Sequence, residues 1–241
     1  MKSYENREEI EKTTFEALKK IINKFRENPR YFFSESDLHS YFYHCLYSTK
    51  MEFKSNGIGL QAIHREYPTN FKYNKQELKE EGFAIPEEPL SQEEGSRGHY
   101  DMAVLAPEFI ENSELDWLHI RNKDGTLTDK RKKTKNPAKE LLFAVEFKYV
   151  INDSKGFVAE VRADNKKLLM AQKTQAIHAV NLVFCDLDLT GTKNLDDVKN
   201  EVINADDQIL TVFINSYYDK DNKKITPKPV SNKNKYADLL I

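Results

Sequence analysis

Apolar residues recur at helical spacing through the first part of the chain. Ile10, Phe15, Leu18, Ile21, Ile22 and Phe25 share one face of a highly charged stretch, which predicts an amphipathic helix over about 6–27, closed by Asn28-Pro29. Ser34 stands three residues before Asp37, a capping-box spacing with the shorter acid. Leu38, Phe42, Cys45 and Leu46 then continue on one face, so a second helix is predicted over about 35–48, with Glu35 in its first turn. The period then changes. Gly59 to Tyr67 reads as extended and stops at Pro68, and the Lys-, Glu- and Pro-rich stretch 69–97 reads as loop with a short helix. His99 to Leu105 and Leu141 to Val150 are short runs of β-formers. The second is nearly unbroken, as a strand covered on both faces requires. Between them lies a polar insertion, 107–139, with Asp124-Gly125 as a turn signal and the basic run Lys130, Arg131, Lys132, Lys133 and Lys135. Val158 to Ala179 favours helix, Leu182 to Leu187 strand, 194–203 a short helix, and Ile209 to Asn215 strand. The Lys-, Asn- and Pro-rich residues 216–241 read as a loosely held tail until Tyr236 to Ile241.

This alternation predicts a single α/β domain over 1–241, with an N-terminal helical extension (1–30), a core (34–215) and the 107–139 insertion. The longest apolar runs fall well short of the about 20 residues a membrane span needs, so no membrane partner is expected. Met1 to Lys20 lacks the apolar stretch of a secretory signal, and a cytoplasmic setting follows. Cys45 and Cys185 are far apart without metal spacing, which indicates neither a disulfide framework nor a structural zinc site and reads as two buried thiols. The formal net charge of -2 gives no global attraction to a polyanion. Any grip on nucleic acid must come from local patches.

Chemistry concentrates in two of the strands. Gly98-His99-Tyr100-Asp101 opens one, and Val145-Glu146-Phe147-Lys148 closes the apolar run of the other. Side chains alternate along a strand, so Glu146 and Lys148 project together while Val145, Phe147 and Tyr149 face the opposite way. The acid-x-Lys triplet is weak by itself. The chain holds seven of them, but only the one at Glu146 ends an apolar strand and follows another strand that also carries an acid. A carboxylate within a strand is costly unless a cation or hydrogen bonds compensate it. Asp101 and Glu146 offer hard oxygens suited to Mg²⁺, with Mn²⁺ as a substitute, and such an ion lowers the pKa of bound water and offsets charge on a phosphate. Lys148 beside them can orient or help deprotonate the attacking water and stabilise developing negative charge. A plain salt bridge at a sheet edge is the alternative.

These residues resemble the PD-(D/E)xK, or restriction-endonuclease-like, nuclease superfamily, with Asp101 on the acid-bearing strand and Glu146-Phe147-Lys148 on the next. The resemblance covers about residues 34–187. It implies a mixed β-sheet flanked by helices in α-β-β-β-α-β order, and hydrolysis of nucleic-acid phosphodiester bonds, DNA in the first instance, with Mg²⁺. It also implies the Phe147 main-chain carbonyl as a metal ligand beside Asp101 and Glu146, and Glu35 as a further catalytic acid. Helix-dipole complementarity accounts equally well for a Glu in a first turn, and Glu66, at the end of a preceding strand, competes for the same role. Many members act as dimers, so a homodimer is a possible state. The chain departs from the common pattern in lacking a Pro before Asp101 and in the long insertion before Glu146. A catalytically weak nucleic-acid or protein binding module on the same fold is the alternative function.

The remaining candidates have bland readings beside the functional one. The Lys130 to Lys135 run could grip phosphates or be a solvated loop. Gln172, Lys173 and Gln175 could face the site or lie on ordinary helix surface. His99 shares the face of Asp101, whereas His39, His44, His64, His119 and His178 show no metal-binding spacing and take structural or surface roles. The aromatic cluster Tyr31, Phe32, Phe33, Tyr41, Phe42, Tyr43 and Tyr47 reads as core packing rather than a base-stacking platform.

Overall fold

A computed structural model describes residues 7–48, 52–55, 58–85, 95–112, 139–188 and 192–241. Helix α1 (Arg7–Glu27) buries Ile10, Phe15, Leu18, Ile21, Ile22 and Phe25 on one face. Helix α2 (Glu35–Tyr47) begins where the Asp37 carboxylate accepts the main-chain N–H groups of Phe33 and Ser34, at 2.8 and 2.9 Å. This satisfies donors that a helix start would otherwise leave orphaned. A hairpin of β1 (Glu52–Ser55) and β2 (Ile58–Gln61) leads into β3 (Ile63–Tyr73), the short α3 (Lys75–Lys79), β4 (Ser96–Leu105) and α4 (Pro107–Asn112). The chain then runs through β5 (Leu141–Val150), α5 (Lys155–Thr174), β6 (Ala176–Cys185), α6 (Lys193–Ile203) and β7 (Leu210–Asn215). It ends with the short strands β8 (Tyr217–Tyr218), β9 (Lys224–Ile225) and β10 (Val230–Ser231).

The main sheet has six strands in the order β10-β7-β6-β5-β4-β3. β3, β4 and β5 are antiparallel neighbours, β5, β6 and β7 run parallel, and β10 closes the far edge antiparallel to β7. The architecture is therefore mixed α/β, a mixed sheet flanked by helices. The helix α5 makes the crossover that parallel β5 and β6 demand. One large core lies between the sheet, α1 and α2, where Phe42, Phe147, Phe184 and Phe25 are fully buried. A smaller one, with Val150, Val183, Leu195, Val198 and Phe213, lies between the sheet and helices α5 and α6.

Three boundaries differ from the sequence expectation, each for a local reason. β3 does not stop at Pro68 but continues to Tyr73, with a register shift between Pro68 and Lys72. An edge strand tolerates a missing N–H there. The helix expected to Ala179 ends at Thr174, because Ala176 to Val180 pair with β5 from Leu141 onward. The tail 216–241 is held rather than loose. Val230 and Ser231 pair with β7, and the Asn232 amide donates to the carbonyls of Asp206 and Ile209 at 2.9 and 2.8 Å. The Tyr236 ring packs against Phe15 and His178. The basic run at 130–135 lies outside the described residues.

Candidate active site

The site forms where two neighbouring strands part. The β4–β5 ladder ends at the pair Met102 and Val145. Beyond it β4 stays paired with β3 at Tyr100, and β5 stays paired with β6 as far as Val150. Asp101 and Glu146 are the first residues past the split, one on each strand. An opened ladder leaves main-chain donors without partners. Asp101 fills that role, since its Oδ2 accepts the Phe147 N–H at 2.7 Å. Glu146 and Lys148 both line the resulting cleft, while the Phe147 ring is buried beneath, against Phe42 and His39.

Helix α2 supplies the second wall. Glu35 Oε2 accepts the Tyr149 N–H at 3.2 Å and stands 3.4 Å from Lys148 Nζ. One turn on, His39 Nε2 lies 3.4 Å from Asp101 Oδ2. Ligand atoms of Glu35, His39 and Asp101 all fall within 4.8 Å of one another, a spacing that could hold a metal ion. The Tyr149 hydroxyl, 3.0 Å from both the Phe32 carbonyl and Asp186 Oδ2, fastens the entry of α2 to the sheet.

Helix α5 supplies the third wall with two charges a turn apart. Lys167 Nζ is 2.7 Å from Glu146 Oε1, 3.5 Å from Asp164 Oδ1 and 3.1 Å from the His99 carbonyl that accepts its hydrogen bond. Asp164 Oδ2 is also 3.6 Å from Lys148 Nζ. The cleft encloses about 340 Å³, and Glu66, Lys75, Arg97 and His99 also line it. Glu66 is exposed and takes a left-handed backbone, φ 51°, that a non-glycine residue seldom adopts.

Burial and mutual charge shift these groups in opposite directions. Burial, joined by the Asp101 charge, pushes Glu146 well above the ordinary glutamate value against the pull of Lys167. Burial also raises Glu35, with Lys148 opposing and Asp101 adding to the rise. Asp101 is buried too, but its hydrogen bond and charge interaction with His39, together with the Phe147 N–H, hold it below the usual value. For Lys148 burial favours loss of the proton, and the charges of Asp164, Glu35 and Asp101 overcome it, so its pKa is raised. The same balance, led by Glu146 and Asp164, raises Lys167. A lysine so held keeps its proton at neutral pH, which suits Lys148 to stabilising negative charge rather than to removing a proton.

Glu35, Asp101, Glu146 and Lys148, singled out in the sequence, thus meet in one cleft. Gln172, Lys173 and Gln175 do not. Gln175 is fully buried and ties the Tyr100 hydroxyl, the Asn70 N–H and the Pro68 carbonyl together. The aromatic cluster divides: Phe32 and Phe42 are buried, and Tyr31, Phe33 and Tyr47 are exposed. Sequence reasoning passed over His39, Asp164 and Lys167. His39 follows Glu35 by four, one helical turn, which places both on one face. Asp164 and Lys167 follow by a similar step on the helix after the Glu146 strand, but among so many charged positions nothing marks them as buried.

No family model matches the chain, and searches of curated proteins and of solved structures find no match. Among the described residues, no helix is long and apolar enough to cross a membrane.

Proposed function

We propose that the protein is a divalent-metal-dependent nuclease of the restriction-endonuclease-like type, hydrolysing phosphodiester bonds of DNA in the cleft between β4 and β5. One observation carries the reading. Among the described residues, Glu35, Asp101, Glu146 and Asp164 gather there with two ammonium groups, Lys148 and Lys167, within 4 Å of members of the set, while Lys75, which also lines the cleft, pairs with Glu160 outside it. Uncompensated buried carboxylates cost several kcal/mol each, and an oxygen-rich set with at most one imidazole accepts Mg²⁺ or Mn²⁺.

Asp101 is the ligand common to both available donor sets. It joins Glu146 and the Phe147 carbonyl in the set implied by the superfamily resemblance, and Glu35 and His39 in the one already gathered within 4.8 Å. A bound ion supplies Lewis acidity and an acidified water. Where Asp101, Glu146 and the Phe147 carbonyl hold the ion, Glu35 stands outside the ligand set beside Lys148, placed to accept a proton from an attacking water. Lys148 offsets charge on the phosphate in the transition state. With β1, β2, α3 and α4 set aside as additions, the order α2-β3-β4-β5-α5-β6 supports this reading, and a homodimer would place two such clefts on one duplex.

A second reading is favoured by the 2.7 Å contact of Lys167 with Glu146. On it the lysines alone neutralise the acids, and the fold serves as a binding module. A nuclease assay separates the two. Supercoiled plasmid, linear duplex, single strands and a branched junction are incubated with Mg²⁺, Mn²⁺ or EDTA, using wild type, Asp101→Ala and Lys148→Ala. Metal-dependent cleavage lost in both variants supports the nuclease. Folded but inert wild-type protein on every substrate favours the binding module.

A further inference from the structure

We infer that Lys167 is the built-in counter-cation of this site, holding Glu146 until a divalent ion binds and then passing to Asp164. The inference rests on the metal reading above and extends it to how the ion gains entry. Glu146 and Lys167 are both almost fully enclosed. A buried carboxylate without a cation is strongly unfavourable, so the ammonium at 2.7 Å stabilises the metal-free fold. A cation arriving at Glu146 must compete with it.

Asp164 gives the displaced ammonium somewhere to go. Its Oδ1 is already 3.5 Å from Lys167 Nζ, one helical turn away on the same face. A shift of about 0.7 Å brings that contact to the ~2.8 Å of a strong ion pair. The His99 carbonyl, 3.1 Å away, anchors the side chain. Asp164 also faces Lys148 across 3.6 Å, so it stands between the two lysines of the cleft without belonging to either donor set proposed for the metal. Charge at Glu146 is thus exchanged from one cation to another with little side-chain motion.

Calorimetric titration of Mn²⁺ into wild type, Lys167→Met, Asp164→Asn and the double variant tests this without reference to turnover. Removing the competitor should tighten binding by about tenfold or more, and removing its destination should weaken it by a similar factor. A simple change of local field also predicts those two signs, so the double variant decides. If Asp164 acts through Lys167, the Asp164→Asn penalty disappears once Lys167 is gone. An equal penalty in both backgrounds overturns the inference, as does a Lys167→Met variant that binds no more tightly than wild type. Lys167→Gln, which keeps a donor for the His99 carbonyl, replaces Lys167→Met should circular dichroism show the latter unfolded. If wild type binds Mn²⁺ but the variants do not follow this pattern, only the exchange is wrong. If no form of the protein binds Mn²⁺, the metal reading fails with it.

Discussion

Replacing Lys148 by Met should destabilise the metal-free protein and leave it more dependent on divalent ions. The Lys148 side chain is 15% exposed and lies between Glu35 at 3.4 Å and Asp164 at 3.6 Å. Removing one partner from a buried ion pair costs about 3–5 kcal/mol, because the remaining charges stay behind without compensation. The Glu35 side chain is 36% exposed, so water screens that arm and the lower end, about 3 kcal/mol, applies. For a chain of this length each kcal/mol corresponds to about 2–4 °C, so Tm should fall by about 6–12 °C. The folded-state pKa of Lys148 is raised. Its contribution is therefore complete below the ordinary lysine value and is lost only as pH rises through the higher folded value, so it should be constant around neutral pH. Thermal melts followed by circular dichroism in EDTA measure the effect, and repeating them in Mn²⁺ should narrow the gap between variant and wild type. A variant that melts within about 1 kcal/mol of wild type in EDTA would refute the charge accounting of the cleft.

Saturation with Mn²⁺ at about 100 times Kd should stabilise the wild type by about 2.7 kcal/mol, roughly 5–11 °C in Tm. Asp101→Asn should abolish that gain, and an equal rise in the variant would place the ion elsewhere. Because Glu146 has a raised folded pKa, ionising it costs stability as pH rises from the ordinary glutamate value through the folded one. The stability of wild type relative to Glu146→Gln, in EDTA, should therefore decline over that interval, and a flat difference speaks against burial of the carboxylate. Asn232→Ala removes the side-chain amide that holds the carbonyls of Asp206 and Ile209. It should cost about 1–3 kcal/mol and make 216–241 sensitive to proteases, whereas unchanged proteolysis would mean that the tail is not held as described.

The legible parts of the chain are those in which one local signal dominates. The apolar period of α1, the Ser34 and Asp37 cap of α2, and the unbroken apolar run of β5 each specify an element without reference to the rest. Asp101, Glu146 and Lys148 stand out because charged residues inside apolar strands contradict the local pattern. What could not be read depends on tertiary context. Ala176 to Val180 suit the end of a helix or the start of a strand equally well, and pairing with β5 decides between them. His39, Asp164 and Lys167 belong to helices whose other polar residues are mostly at least partly exposed, and only the packing of α2 and α5 on the split between β4 and β5 turns them inward. The tail reads as loosely held by composition, yet its asparagines cap the main chain before β7 through contacts more than twenty residues distant in sequence.

The most direct measurement is anomalous diffraction from crystals of the protein soaked in Mn²⁺. The account predicts one strong peak in the cleft between β4 and β5, bonded to Asp101 and Glu146, with the Lys167 ammonium moved from Glu146 onto Asp164. A cleft without a peak under soaking conditions that saturate the protein in solution, or a peak that touches neither Asp101 nor Glu146, would contradict it.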